Sequence, residues 1–265
     1  MNNAEKLEIF KKREYFVVKG NELIQKSRFE LSLPEQKTIA FICSLIKPTD
    51  TIEKTKGLSF QLEYEFNIRD YCKICGIDYD NGKNYADVKS TLKKLSDRSI
   101  WITFDKNPNE EVLCRWLSKV RSNKKSGIVQ IKLDEDLIPY LFELKEKFTQ
   151  YQLYNILGMK SAFSVRIYEL MKSYAFQRTI TLELDELKNL LMVDNVKSYA
   201  NFNLFKTKVL DIAVREINEL TDINIRFEPI TKGRKVIKVK FHIEHKKPIE
   251  SLITSKKIQD ILEKY

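Results

Sequence analysis

Glycine is scarce in this sequence: seven residues in 265. A nucleotide-hydrolysing enzyme needs a glycine-rich phosphate cradle, and the nearest stretch, Gly82-Lys83-Asn84, lacks both an upstream glycine and a Ser or Thr for magnesium. Histidine is scarcer still. His242 and His245 are three apart in an apparent strand, which sends their rings to opposite faces, so they cannot share a metal as a nicking enzyme requires. Cys72 and Cys75 form a single C-x-x-C with no second pair, and with Cys43 and Cys114 they are expected to be reduced, buried thiols rather than zinc ligands. No apolar run approaches the roughly 20 residues of a membrane span, and the longest, Ile39 to Ile46, is interrupted by Ser44. The opening residues lack a signal-peptide profile, so the expected location is the cytoplasm. Asp78-Tyr79-Asp80 and Asp134-Glu135-Asp136 are read as a loop and a helix start rather than magnesium sites. Neither a catalytic residue nor a cofactor is expected.

What the chain has is basic charge. Lysine and arginine total 47 against 37 acids, a net +10, with a pI of about 9.2. Such an excess favours polyanions, nucleic acid first and an anionic membrane surface second. At 43% hydrophobic and 32% charged, the composition is globular, and the length suits two domains of roughly 100–150 residues.

Periodicity orders the elements. Residues 1–14 form a charged lead-in, Tyr15–Lys19 is β-prone, and Gly20–Ile24 turns into a short helix. Ser32-Leu33-Pro34-Glu35 starts a helix that Pro48 ends. Leu58, Phe60, Leu62, Tyr64 and Phe66 alternate with polar residues, which predicts a strand. Asn67 then caps a short helix that Gly76 stops. A helix over Asn84–Asp97, strands over Ile100–Phe104, Val112–Val120 and Ile128–Leu133, and a basic turn at 121–127 follow. Asp134–Lys147 is predicted helical and Phe148–Ile156 extended. The helix from Ser161 carries a stripe of Phe163, Ile167, Leu170, Met171 and Tyr174. Ile180, Leu182 and Leu184 alternate, Asp185 caps Glu186–Met192, and a loop leads to the helix Asn201–Leu220. Two strands joined by Thr231–Lys235 complete the pattern. Leu252, Ile253, Ile258, Ile261 and Leu262 are available for packing in a helical tail.

The order helix, alternating strand, short helix, loop, longer helix, strand, basic turn, strand therefore occurs twice. This predicts an α+β chain of two tandem winged-helix units: a lead-in 1–14, a first unit 15–133, a second 134–248 and a tail 249–265. In the second unit Phe202, Phe205, Val209, Ile212, Ala213 and Leu220 face inward at 100° per residue. Thr207, Lys208, Asp211, Arg215 and Asn218 face outward, flanked by Asn203 and Lys206, with Asn201 at the start. Asn and Arg can pair bidentately with adenine and guanine edges, while Lys and Thr suit phosphates. Lys232, Arg234 and Lys235 lie where a wing touches the DNA backbone. The counterparts in the first unit are Lys83 in the loop before its longer helix, Lys89, Ser90, Lys93 and Lys94 on that helix, and Arg121, Lys124 and Lys125 in its turn.

Gly20–Ile24, Leu33 through Gln36-Lys37, Ser164-Val165-Arg166-Ile167-Tyr168-Glu169-Leu170, and Lys232–Val236 followed by Phe241 resemble the replication initiators of theta-replicating bacterial plasmids. The resemblance runs from about Tyr15 to His245. It implies two winged-helix domains that bind repeated origin sequences (iterons), the C-terminal one reading bases. It also implies a homodimer through the N-terminal domain that represses its own promoter, and origin opening with recruitment of the host helicase and initiator. The reading of the residues leaves two alternatives: a plain winged-helix transcriptional regulator, and a metal-dependent nicking or primase enzyme.

Overall fold

The computed structural model describes residues 3–46, 60–78, 82–103, 109–144 and 147–263, with backbone alone at 3 and 82–84. In order, α1 (Asn3–Arg13), β1 (Phe16–Gly20), α2 (Asn21–Gln25), β2 (Ser27–Arg28) and α3 (Leu33–Leu45) precede β3 (Glu63–Asn67). Then come α4 (Ile68–Cys75), α5 (Gly82–Asp97), β4 (Ser99–Thr103), β5 (Glu111–Arg115), β6 (Leu117–Ser122) and β7 (Ile128–Leu133). They are followed by α6 (Ile138–Leu141), β8 (Phe148–Gln152), α7 (Tyr154–Leu157), α8 (Ala162–Ser173), β9 (Thr179–Glu183) and α9 (Leu184–Leu190). The last elements are α10 (Phe202–Phe205), a π-helical turn (Lys206–Leu210), α11 (Asp211–Leu220), β10 (Ile223–Lys232), β11 (Lys235–His245) and α12 (Pro248–Leu262).

Local chemistry accounts for the helix ends. At the start of α3 the backbone N–H and hydroxyl of Ser32 both donate to the Glu35 carboxylate, at 2.7 and 2.5 Å. Asn67 accepts from the Arg69 N–H at 2.8 Å and opens α4. Gly76 ends α4 with φ +66°, and a Cβ there would sit 2.7 Å from Leu262 Cδ2. Only glycine suits that position.

The repeat is visible in the strand order. In the first unit β3 pairs with β7 and β7 with β6; in the second, β9 pairs with β11 and β11 with β10. In each unit the strand that leads into the short helix thus lies against the last strand, with the hairpin β6–β7 or β10–β11 as wing. This is the two-layer winged-helix arrangement, twice over. β1 pairs with β8, so the chain after residue 134 packs back on the beginning of the first unit.

Several expectations fail for identifiable reasons. The strand expected over Val112–Val120 breaks at Trp116, which is only 1% exposed; β5 pairs with β4, whereas β6 pairs with β7 in another sheet. A buried indole at the corner turns the chain from one sheet to the next. The helix expected to reach Lys147 ends at Leu141 after a 3-10 turn, Glu135–Leu137. The extended run ends at Gln152, and Tyr154–Leu157 is helical. Asp185 is not a cap: α9 begins at Leu184, with Glu183 in the cap position. Among the described residues the first alternating strand begins at Glu63, and Leu58, Pro48, Phe104 and the Tyr79-Asp80 pair lie outside them. In the tail, Ile258 and Leu262 are buried, but Leu252 and Ile253 are 70% and 65% exposed.

α8 departs furthest from an amphipathic stripe. Apart from Ala162, Phe163 and Lys172 the whole helix is buried, Arg166 and Glu169 included. Glu169 accepts from Lys19 Nζ at 2.6 Å and from the Tyr151 hydroxyl at 2.5 Å, joining α8 to β1 and β8. Arg166 donates to the Ser27 carbonyl at 2.8 Å and lies 4.5 Å from the Phe29 ring centre. Gln25 reaches Ser173 Oγ at 2.9 Å. These contacts bind α8 to β1, α2 and β2.

α12 closes the first unit from the far end of the chain. Arg13, 2% exposed, donates to the Ile74 and Lys73 carbonyls at the end of α4, both at 2.8 Å. It also donates to Gln259 Oε1 at 2.8 Å and to the Leu262 carbonyl at 3.5 Å, both in α12. Burial lowers its pKa to about 10, which leaves it charged at neutral pH. Among the described residues no helix is long and apolar enough to cross a membrane.

Two stability predictions follow from these contacts. Arg13→Met strands buried carbonyls, which costs roughly 1–3 kcal/mol each when unpaired; urea unfolding should show a clear fall in midpoint. For Glu169, burial alone would raise the carboxyl, but the Lys19 ion pair and the hydrogen bonds from Lys19 and Tyr151 outweigh it and hold the pKa below the ordinary 4.5. A carboxyl depressed on folding stabilises the fold above its unfolded pKa and ceases to do so as pH falls through the folded one. Stability should therefore decline below about pH 4.5, and Glu169→Gln should weaken that acid dependence while lowering stability at neutral pH.

Candidate nucleic-acid interface

The second unit presents a nearly continuous helix from Phe202 to Leu220, entered through the 3-10 turn Lys197–Ala200. Asn201 caps it by accepting from the Asn203 N–H at 2.9 Å. Its core side is Phe205, Val209, Leu210, Ala213, Glu216, Ile217 and Leu220. The successive burial of Val209 and Leu210 is the mark of the π turn: the wider turn offers two neighbouring side chains to the core, where a uniform 100° step offers one. Ile212, expected inward, is half-buried.

The outward side carries Asn203, Thr207, Lys208 and Arg215, all exposed. Thr207 Oγ1 donates to the Asn203 carbonyl at 2.9 Å, which fixes its rotamer. Arg215 lies eight residues beyond Thr207, about 12 Å further along the axis at 1.5 Å per residue. Lys206 is engaged internally: its ammonium bridges to both Asp211 oxygens, at 3.0 and 2.9 Å, and lies 5.8 Å from the Phe227 ring centre. Asn218 is structural rather than outward-reading. Its Oδ1 accepts from the Ile225 N–H at 2.7 Å and its Nδ2 donates to the Ile225 carbonyl at 3.0 Å, so it pairs with β10 as a strand would.

The two wings differ. β9 covers β11 only over Lys238–His242, whereas β10 and β11 continue to Lys232 and Lys235. Residues 235–237 thus extend about 10 Å past the sheet at 3.3 Å per residue. A bulge falls between Ile230 and Thr231, and the tip turns at Gly233, φ +63°, with nothing within 4 Å of where a Cβ would be. Lys232, Arg234 and Lys235 are exposed on this projecting ribbon. In the first unit the turn 123–127 is tied down instead. Asn67 Nδ2 donates to the Ser126 carbonyl at 3.1 Å, and the Ile68 N–H to the Gly127 carbonyl at 3.0 Å. Arg121, Lys124 and Lys125 are exposed on this short wing. On α5, Tyr85, Val88, Leu92 and Leu95 turn inward while Ser90, Lys93 and Lys94 are exposed and Lys89 is partly so. The Lys83 side chain lies outside the described residues.

The reading of the sequence missed the exposed Lys197 and Ser198 at the entrance to the long helix. It also missed two acids that fasten this helix. Glu216, on the buried side, accepts from the backbone N–H groups of Lys160 and Ser161 at 3.1 and 3.2 Å, at the start of α8. Asp222, just past α11, accepts from the Tyr168 hydroxyl at 2.8 Å and from Lys172 Nζ at 2.5 Å. An acid at an inward position of an amphipathic helix is the signal that could have found Glu216. The Cys72 and Cys75 thiols are buried in α4, and burial pushes them up to about 11 and about 12, far from reactive thiolates.

Two matching sheets, each with a helix turned outward and a basic hairpin beside it, define a tandem winged-helix protein. Residues 16–172 match the family model described as "Initiator Replication protein, WH1", and residues 183–243 that described as "Initiator Rep protein, WH2". The chain belongs to this family of initiator replication proteins. It is 28% identical over 236 residues to a replication initiation protein of Escherichia coli, covering 87% of this chain and 70% of that one. To the PI protein of Escherichia coli it is 29% identical over 152 residues, 51% of this chain and 50% of the other. The solved Pi initiator protein in complex with iteron DNA shares the fold, with a TM-score of 0.70 at 23% identity, covering 89% of this chain and 99% of that chain.

The distinction between outward and structural polar groups is testable. Asn218→Ala should cost roughly 1–3 kcal/mol of stability by leaving the Ile225 backbone groups unpaired. The ratio of specific to non-specific DNA affinity should stay unchanged, as read by parallel urea melts and anisotropy titrations.

Proposed function

We propose that this protein is a sequence-specific double-stranded DNA binder that initiates plasmid replication by occupying repeated origin sequences, and that it works by binding rather than catalysis. The observation that carries the reading is the doubled unit: two outward helices and two basic wings on a chain of net charge +10. Family membership supports it, as does a shared fold with a protein solved on iteron DNA. We assign base reading to Asn203 and Arg215 and phosphate contacts to Thr207 and Lys208, with Asn201 and Lys206 at the flank. Lys232, Arg234 and Lys235 grip the backbone. Lys83, Lys89, Ser90, Lys93, Lys94, Arg121, Lys124 and Lys125 add contacts from the first unit. The units divide near residues 134–150, with 249–265 as a tail. Action in the cytoplasm, self-association through the first unit, repression of the protein's own promoter and engagement of the host helicase and initiator belong to the same reading.

The test is anisotropy titration on duplexes carrying the repeats of the replicon that encodes the protein. Affinity should fall steeply with salt, as several neutralised phosphates require. Arg215→Ala should weaken specific binding by roughly 1–3 kcal/mol if it contacts a base. Lys235→Ala should weaken specific and scrambled duplexes alike. Equal affinity of the unmodified protein for scrambled and origin duplexes would refute the proposal. Supply of the gene in trans to an origin lacking it should restore replication, which a mere repressor cannot do.

A further inference from the structure

α8 has two working sides, and each is fastened to a different unit. Arg166, Glu169 and Ser173, at intervals of three and four, hold Ser27, Lys19 and Gln25 of the first unit. The start of the helix, with Tyr168 and Lys172 seven and eleven residues beyond Ser161, holds Glu216 in the C-terminal half of α11 and Asp222 just past its end. Residues three, four and seven apart share a helix face, so the fastenings form two separate stripes. On each stripe they are spaced by two turns or more of helix. One contact would act as a pivot; two so separated fix an angle.

The fastenings to α11 are chemically strong for their size. The Glu216 carboxylate, 8% exposed, meets backbone N–H groups at the positive end of α8. Asp222 combines a phenol and an ammonium on one carboxylate. Lys246 continues the clamp by donating to the Asn218 carbonyl at 2.6 Å, and its backbone N–H donates to the Asp222 carbonyl at 3.0 Å. The helix with the outward Thr207, Lys208 and Arg215 is thus mounted on the same rod that carries the first unit.

We infer that Glu216 and Asp222 are positioning residues for DNA recognition: with α8 as the rod, they set the angle and separation at which the two units meet one duplex. The inference rests on the reading of the protein as a tandem DNA binder. It makes the spacing between the two contacted segments part of the recognised sequence. Each inserted base pair moves one segment by about 3.4 Å and rotates it by about 35°, which a rigid pair of units cannot follow. If the joint were loose, the second contact would add only the effective concentration of a flexible tether, and spacing would matter little.

The test begins with duplexes selected from a random library by the full-length protein. Footprinting then locates the two protected segments, and one, two or three base pairs are inserted between them. Affinity of the unmodified chain should drop about tenfold or more on insertion, towards that of a duplex holding the second unit's segment alone. In Glu216→Gln/Asp222→Asn, affinity for the intact site should fall by a similar factor, insertions should make little further difference, and the single-segment duplex should bind within about twofold of the unmodified chain. That last measurement separates positioning from a general weakening of the fold. Should the double variant fail to fold, Tyr168→Phe/Lys172→Met removes the Asp222 clamp from the other side and must give the same pattern. A folded variant that keeps the original spacing preference overturns the inference, as does equal loss on single-segment and intact sites. Failure of the unmodified protein to select any sequence would instead refute the DNA-binding reading itself. A selected site indifferent to insertion would leave that reading standing and remove only this one.

Discussion

The structure depends on a charged helix placed where helices are normally apolar. α8 is enclosed along almost its whole length, yet it carries Arg166, Tyr168 and Glu169 into the interior. Desolvating a carboxylate and a guanidinium is costly, and burial pulls the Arg166 pKa down to about 10 even against the opposing charge of Glu169. The Arg166 Nε and Nη1 find no acceptor among the described residues. Apolar substitutes would pack with less penalty but could slide. An ion pair at 2.6 Å, a phenol on the same carboxylate and a guanidinium over a ring each demand one register. The gain is positional definition, a role that buried polar groups fill in other folds as well.

The same economy separates the two units. They share strand order, so the difference lies in how far the hairpin outruns its partner strand. In the first unit Asn67 serves as helix cap and as clasp on Ser126, which keeps the basic turn against the sheet. In the second, Glu183 reaches only Lys238, at 2.6 Å and still within the paired part of β11, so the ribbon beyond it stands clear with three cations near its tip. A projecting ribbon can follow a groove, whereas a clasped turn presents charge at a fixed place. That contrast fits a division between a unit that grips closely and one that supports.

Much of this was legible in the sequence, because the relevant signals are local. Alternation in Tyr64 and Phe66 and in Ile180 and Leu182, the caps Ser32 and Asn67, and Gly76 or Gly233 at turns all act within a few residues, and the elements they predict are present. What was hidden depends on distant partners. Trp116 breaks a strand because two sheets compete for its neighbours, and nothing in Val112–Val120 announces that. The π turn exists because Val209 and Leu210 both find places in the core. Asn218 looked available on a helical projection and is spent on Ile225. Glu216 showed only as an acid on an inward face and Asp222 not at all, because their partners sit some fifty residues upstream, at Lys160, Ser161, Tyr168 and Lys172.

The guanidinium of Arg13 has a consequence for how the molecule is made. Its acceptors in α4 emerge from the ribosome early, but those in α12 are synthesised almost last among the described residues. A nascent chain can therefore assemble both sheets and still hold a half-satisfied cation beside the end of α4. The clasp shuts only when Gln259 and Leu262 arrive, and Leu262 then fills the space that Gly76 leaves open. Vectorial synthesis thus makes the clasp on α4 wait for α12, so the first unit is closed only after the second has been made.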